Sequence, residues 1–141
     1  MANVIYNSFK AKIMDGSIDL NTDTIKVALV TSSYTPDQDA HDFFDDVTNE
    51  VANGNGYTSG GATLSNLAVT ADNTDNEGVF DADDVTWSSS TITARGAVIY
   101  KSTGTASSSP LICYIDFGED KVSSAGNFTI TWNAEGIINL G

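Results

Sequence analysis

The feature that most restricts the fold of this chain is a series of short apolar runs separated by polar turns. From residue 62 onward, strand-like runs at residues 91–100, 110–117 and 128–132 alternate with segments of glycine, serine, asparagine and aspartate. The runs recur roughly every ten residues and are rich in β-branched and aromatic side chains. This pattern is typical of a β-sandwich, a jelly roll or a small barrel with about seven or eight strands.

Other segments of the same half of the chain predict further strands and turns. Residues 63–70 predict a strand, although the alternation of apolar and polar residues there is imperfect, and residues 79–87 predict a strand or a bridge. Residues 118–126 are rich in glycine and charge and predict a turn. The apolar residues 136–140 predict a last strand.

The first segment of the chain has helical spacing instead. Ile5, Phe9 and Ile13 recur on one face of a helix, with Met14 beside them. This spacing predicts a short amphipathic helix over residues 6–14 whose apolar face, Met14 included, covers the sheet.

A mostly apolar strand is predicted over residues 25–30, with Ile25, Val27 and Leu29 on one face. The following region is irregular and rich in aspartate. Within it, the adjacent Phe43 and Phe44 predict a single helical turn that is pinned to the core by its rings.

The length and composition of the chain indicate one domain. It has 141 residues, of which 40% are hydrophobic, which is enough for one core. We find no internal repeat and no interdomain linker, so we expect one domain spanning residues 1–141. The predicted fold is all-β: a single-domain, jelly-roll-like β-sandwich with a short N-terminal helix.

The charge of the chain restricts its partners. Six basic residues stand against nineteen acidic ones, a formal net charge of −13. So few Lys and Arg residues cannot form a basic groove for phosphates, so we expect neither nucleic acid nor an anionic membrane as a partner. Residues 1–7 lack the features of a signal peptide, and no apolar run approaches the roughly 20 residues of a membrane span. We expect a protein that is made in the cytoplasm and remains soluble.

His41 is the only histidine and Cys113 the only cysteine. His41 is flanked by Asp39 and Asp42, and a catalytic role would require a nucleophile that the sequence does not single out. We expect His41 to make a local hydrogen bond in its loop. A lone cysteine excludes an intrachain disulfide and a cysteine metal cluster, and its apolar surroundings predict a buried residue in a strand.

Aspartates, glycines and aromatic residues are the remaining candidates for chemistry. The acidic turns that include Asp72, Asp75 and residues 81–84 could hold calcium, but they lack the EF-hand spacing and are expected to be solvated.

The glycines of residues 54–61 do not form a nucleotide-binding pattern. The aromatic rings are expected in the core and not on a sugar-binding face: Tyr57, Trp87, Tyr100 and Trp132. We therefore predict no enzyme, no cofactor, and no catalytic, cofactor-binding or metal-binding residue.

Several short phrases occur together and in a fixed order along essentially the whole chain. The early ones are Tyr6-x-Ser8-Phe9, Gly16-x-Ile18-Asp19 and residues 23–30. The later ones are Tyr34-x-Pro36, His41, Tyr57-Thr58-x-Gly60-Gly61, residues 81–87, Pro110-Leu111-Ile112, and residues 128–132 followed by Gly136-Ile137. In this combination and order the chain resembles a widespread group of small virion proteins of tailed bacteriophages.

The resemblance implies a structural role and brings no catalytic motif. Within that group, the chain is best placed as a capsid decoration or cement protein with a jelly-roll-like fold. Such a protein lies on the outer surface of the head and binds the major capsid protein. It is expected to form a homo-oligomer, a trimer or a dimer.

Two other functions remain open at this point. A tail or fibre β-module that contacts a host surface glycan would show an exposed row of aromatic rings lined with Asp. A small hydrolase would place His41 in a buried polar cleft beside a serine or a carboxylate. The cement hypothesis predicts apolar residues left exposed in the isolated subunit, such as Phe43, Phe44 or the N-terminal helix.

Overall fold

The computed structural model describes residues 3–141 and contains ten strands and one α-helix in that range. Met1 and Ala2, which belong to the segment compared with signal peptides, lie outside the described residues. In chain order the elements are β1 (Val4–Ile5), α1 (Asn7–Met14), β2 (Ile25–Val30), β3 (Ala62–Thr63), β4 (Ala68–Asp72), β5 (Glu77–Asp81), β6 (Val85–Ser90), β7 (Thr93–Lys101), β8 (Leu111–Val122), β9 (Gly126–Ile130) and β10 (Ile138–Leu140). The predicted all-β sandwich with a short N-terminal helix is confirmed.

The strands form three antiparallel groups. The largest is a five-stranded sheet with the order β1-β8-β7-β2-β3. The second is the pair β6-β9, and the third is a three-stranded sheet with the order β10-β5-β4. Strands distant in sequence are therefore neighbours in space, as in other sandwiches.

The five-stranded sheet is buried on both faces. Along β2, Ile25, Val27 and Leu29 belong to one hydrophobic cluster, and Ala28 and Val30 belong to a second. The predicted common face of the first three residues is confirmed. The second face is also covered, which explains why this strand is a nearly continuous apolar run.

Each face of this sheet has its own cover. The first faces the β6-β9 pair, where the rings of Trp87 and Phe128 meet edge to face with centroids 6.1 Å apart. The second is covered by Tyr6, Tyr34 and the short 3-10 turn Phe44–Asp46. That turn is the one predicted from Phe43 and Phe44.

Helix α1 is confirmed, but the predicted burial of Met14 is wrong. Phe9 is fully buried, whereas Met14 is 82% exposed. At about 3.6 residues per turn, Met14 points roughly 140° away from Phe9 around the helix axis. Ile13, one position earlier, lies on the side of Phe9 and is partly buried against the core.

Strand β8 is longer than the sequence predicts. The expected turn over residues 118–126 is mostly strand, and the chain reverses only after Val122. Ala94 pairs with Lys121 and Gly96 pairs with Asp116, so residues 117–120 form a large bulge opposite a single residue of β7. Gly118 has a left-handed φ of 82°, which accommodates the bulge and gives this part of the strand its turn-like composition.

The predicted strand over residues 63–70 is two strands in different sheets. Strand β3 pairs with β2, whereas β4 pairs with β5. Between them Asn66 has a φ of 53°, a conformation that Asn tolerates better than most residues and that ends the extended segment.

Removal of a core indole is expected to destabilise the fold. Trp87 is 7% exposed and contacts the rings of Tyr57 and Phe128, so Trp87→Ala should lower the free energy of unfolding by about 3–5 kcal/mol. Urea denaturation measures this change. The control Met14→Ala should change it by no more than about 0.5 kcal/mol, since Met14 is exposed. A fully stable Trp87→Ala variant would contradict the core position of this residue.

Candidate functional site

His41 lies in the loop that covers the second face of the large sheet and takes part in a chain of hydrogen bonds. Its Nδ1 lies 3.1 Å from the backbone nitrogen of Asp37 and 3.0 Å from the hydroxyl oxygen of Tyr34. Because a backbone N–H can only donate, Nδ1 is an acceptor and the ring proton is on Nε2. The Tyr6 hydroxyl is 2.7 Å from that of Tyr34, and burial raises the pKa of Tyr34 to about 12. His41 thus makes the local loop bonds that the sequence predicts.

Two aspartates near His41 accept backbone hydrogen bonds. The Asp46 carboxylate accepts from the N–H groups of Asp42 and Phe43 at 3.0 and 3.3 Å. Asp37 accepts from the N–H groups two and three residues later, at 3.0 Å each. These bonds stabilise the charged form and lower the pKa of both carboxyl groups below the ordinary value. Both carboxylates therefore hold the loop.

The glycine-rich loop is packed tightly against β2. The Glu50 carboxylate accepts hydrogen bonds from the Tyr57 hydroxyl at 2.5 Å and from the Gly60 N–H at 2.7 Å. Gly61 has a φ of 80°, and a Cβ there would lie 1.8 Å from the carbonyl oxygen of Val27. Close backbone approach, and not phosphate binding, accounts for this glycine.

The aromatic side chains singled out in the sequence are in the core. Tyr57, Trp87, Tyr100 and Trp132 are all 9% exposed or less. Trp132 also fixes the acidic turn before β6: its indole N–H donates to the Asp83 carbonyl at 2.8 Å, and its backbone N–H donates to the Asp84 carboxylate at 3.0 Å.

Four carboxylates come together at the outer end of the three-stranded sheet. Oxygen atoms of Asp72, Asp75, Glu77 and Glu135 all lie within 4.8 Å of one another. Residues 81–84, which the sequence also suggested for calcium, are not part of this group. Glu77 and Glu135 were missed because only the pairing of β5 with β10 brings their segments together. Carboxylate oxygens suit calcium, but two of the four residues are exposed to water, and we assign no metal to them.

The three-stranded sheet is only partly covered by the rest of the fold. Phe80 and Ile138 anchor it in the main core, with exposed fractions of 2% and 4%. Val69 and Leu140 are 52% and 45% exposed. Strand β4 is an edge strand, and four of its five residues are exposed. This sheet was not recognised from the sequence, because exposure and pairing are not visible in the alternation alone.

An open groove of about 910 Å³ lies beside this sheet. Its lining residues include Phe117, Lys121 and Val122 of β8, Thr129 of β9, Ile137, and Asn139 of β10. Its walls mix apolar and amide side chains. The groove therefore belongs to the same end of the molecule as the carboxylate group.

The charge of the segments that form the three-stranded sheet is entirely negative, whereas Lys121 of β8 lines the groove beside it. Residues 66–84 and 133–141, which include all three strands of the small sheet, contain no Lys or Arg. They contain seven acidic residues: Asp72, Asp75, Glu77, Asp81, Asp83, Asp84 and Glu135. A strong negative potential over this surface follows from the sequence.

Comparison of the chain with protein-family models, with curated proteins and with solved structures gives no match. Among residues 3–141, no helix has the length and apolar character that a membrane crossing requires.

The role of Asp46 predicts a pH dependence. Its pKa is lowered in the folded state, so its contribution to stability is present above the unfolded-state pKa and is lost as the pH falls through the folded-state pKa. Asp46→Asn should lower the free energy of unfolding by about 1 kcal/mol at pH 7, and this difference should shrink below about pH 4. Urea denaturation over a pH series measures the change.

The neighbouring Asp45→Asn is the matched control for overall charge. Its side chain is exposed, so its effect should be small. An Asp46→Asn effect that stays constant down to pH 2, or that equals the effect of Asp45→Asn, would contradict the assigned hydrogen bonds.

Proposed function

We propose that this chain is a structural subunit of a bacteriophage particle, a capsid decoration or cement protein that binds the major capsid protein on the outside of the head. The observation that carries this proposal is the exposed three-stranded sheet, with its free edge strand β4 and the exposed apolar side chains of Val69 and Leu140. Exposed apolar side chains beside an open strand edge are features of assembly surfaces.

The surface expected from the sequence was a different one. Phe43 and Phe44 are only partly exposed, and the Phe44 ring stacks on Tyr100 with centroids 4.1 Å apart. Of the helix, only Met14 is a large exposed apolar residue. The proposal therefore assigns the contact to the three-stranded sheet.

The phrases that carry the resemblance to phage virion proteins occupy framework positions. Gly61 lies against the β2 backbone, and Trp132 fixes the turn of residues 83–84. Residues with such roles maintain the fold, and members of a family of structural proteins would have such residues in common. This agreement supports the proposal.

A cement role also fits the modest size of the exposed apolar surface, because many copies would bind the same shell. Each subunit has a modest exposed apolar surface, but a shell presents many equivalent positions, and subunits that also contact one another gain from multivalency. The acidic surface suits a solvent-facing protein whose contact on the shell is neutral or basic. A trimer or a dimer on the symmetry axes is compatible with this arrangement.

The alternative of a tail or fibre module that binds a host glycan has one observation in its favour. The groove beside the small sheet is lined partly by amide and hydroxyl side chains, including Asn127, Thr129 and Asn139. Exposed rings are the other expected element, and both tryptophans are at least nine-tenths buried. The exposed sheet therefore favours assembly over glycan binding.

Imaging of purified intact particles tests the proposal. Density for this chain on the outer surface of the head, in a fixed ratio to the major capsid protein, is the expected result. Copies confined to the tail or fibres would overturn the cement assignment, and absence from the particle would overturn the virion role. The recombinant protein is also expected not to hydrolyse nucleotides, esters or glycans.

A further inference from the structure

The free edge of β4 presents backbone hydrogen-bonding groups at two positions. The carbonyl oxygen of Phe80 accepts a hydrogen bond from the N–H of Ile137, so the backbone groups of Phe80 face β10. Val69 is the partner of Phe80 in the β4-β5 ladder. Because the backbone groups of successive residues in an antiparallel strand face opposite sides, those of Val69 and Ala71 face outward and those of Thr70 face β5.

This edge lacks three of the features that commonly protect an edge strand. Natural edges are usually blocked by Lys, by Pro or by a bulge. Strand β4 contains neither residue, and its five residues pair with β5 without a shift of register. The edge is therefore ready to accept another strand.

The two faces of the small sheet differ in character. Val69 lies directly opposite the buried Phe80, so the two side chains share a face of the sheet. Ala71 is two residues from Val69, and Leu140 is two residues from the buried Ile138, so both lie on this same face, which continues the hydrophobic core. The other face carries Ala68, Thr70, Val79 and Asn139 together with three carboxylates, those of Asp72, Glu77 and Asp81. A strand added beside β4 would meet an apolar surface on one side and carboxylates on the other.

The charge selects the kind of strand that fits. A second copy of this chain would bring a β4 with no basic residue, together with the same group of carboxylates. Opposite charges in neighbouring strands are favourable, and like charges directly opposite one another are unfavourable. A strand with alternating apolar and basic residues complements both faces at once.

We propose that β4 is the docking site for an extended segment of the partner protein in which apolar residues alternate with Lys or Arg. The segment extends the three-stranded sheet by hydrogen bonds to Val69 and Ala71 and places its basic side chains beside Asp72 and Glu77. Main-chain bonds supply affinity in this mode of binding, and alternate side chains supply specificity. The inference rests on the proposed function for placing that segment in a phage particle protein.

A peptide pair tests the docking directly. The first probe is the capped heptapeptide Thr-Lys-Val-Lys-Val-Lys-Thr, and the second replaces each Lys with Glu. The protein of residues 1–141 should bind the Lys peptide, with NMR shift changes centred on the Val69 and Ala71 amides, and bind the Glu peptide at least about tenfold more weakly. Raising the salt from about 50 mM to about 500 mM should weaken the Lys complex.

Substitutions in β4 separate the backbone contribution from the charge contribution. Ala71→Pro removes an outward N–H and leaves the ladder to β5 intact, so it should weaken Lys-peptide binding at least about tenfold, whereas Ala71→Ser should not. Thr70→Lys adds a positive charge on the acidic face, so it should weaken binding of the Lys peptide and narrow the preference for it over the Glu peptide. A general loss of folding would weaken the binding of both peptides and would not narrow that preference.

A charge control uses matched pairs of exposed residues. Asp75→Asn with Glu135→Gln removes two charges next to the edge and should weaken Lys-peptide binding, whereas Asp45→Asn with Asp120→Asn removes two charges elsewhere and should have little effect. No binding of the Lys peptide, equal binding of both peptides, or unchanged binding to Ala71→Pro would overturn the inference. Salt-promoted dimers that Ala71→Pro abolishes would assign the edge to a second copy and also overturn it.

The two proposals can fail separately. A chain imaged on the head that does not bind the Lys peptide would remove this inference and leave the proposed function. A chain that binds the peptide with the expected specificity but is absent from the particle would remove the proposed function and leave the docking of a basic strand on β4.

Discussion

The structure depends on the pairing of β7 with β2 on one side and β8 on the other, which creates a sheet buried on both faces. Ala97, Val98 and Ile99 in the middle of β7 are completely buried, with Val98 in one cluster and its two neighbours in the other. A sheet in this position needs a cover on each side, which the β6-β9 pair and the loop around Tyr34 provide. The hydrogen bonds of Tyr34, His41 and Asp46 hold the second of these covers in place.

This constraint explains why most candidates for chemistry have structural roles. The bonds of His41, Asp37 and Asp46 fold the loop over the second face. Glu50 accepts hydrogen bonds from Tyr57 and Gly60 of the glycine-rich loop, and the Tyr57 hydroxyl accepts one from the Leu29 N–H of β2. The three-stranded sheet differs, because only its inner side chains reach the core. It combines an edge strand with the exposed apolar side chains of Val69 and Leu140, which are available to a partner.

The sequence predicted the elements whose residues act locally. The spacing of Phe9 and Ile13 is sufficient to predict α1, although Ile5, which the pattern places on the same helix face, lies in β1 and pairs with Cys113. The apolar run of β2 is sufficient to predict a buried strand. Two features depend on residues distant in sequence and were not predictable. One is the bulge at residues 117–120, through which β8 continues beyond Gly118, and the other is the proximity of the Glu77 and Glu135 carboxylates. The exposed edge of β4 was missed for the same reason, since the composition of a strand does not show which of its sides is paired.

A central sheet buried on both faces holds the fold, and the small sheet beside it leaves the outer edge of β4 open. Hydrogen exchange of the isolated protein, followed residue by residue by NMR, tests this claim most directly. The amides of Val98 and Ile99 should exchange only through global unfolding, the Thr70 amide should be protected by β5, and those of Val69 and Ala71 should exchange fastest in β4. Equal protection of Val69, Thr70 and Ala71, or exchange of Val98 as fast as that of β4, would contradict the account.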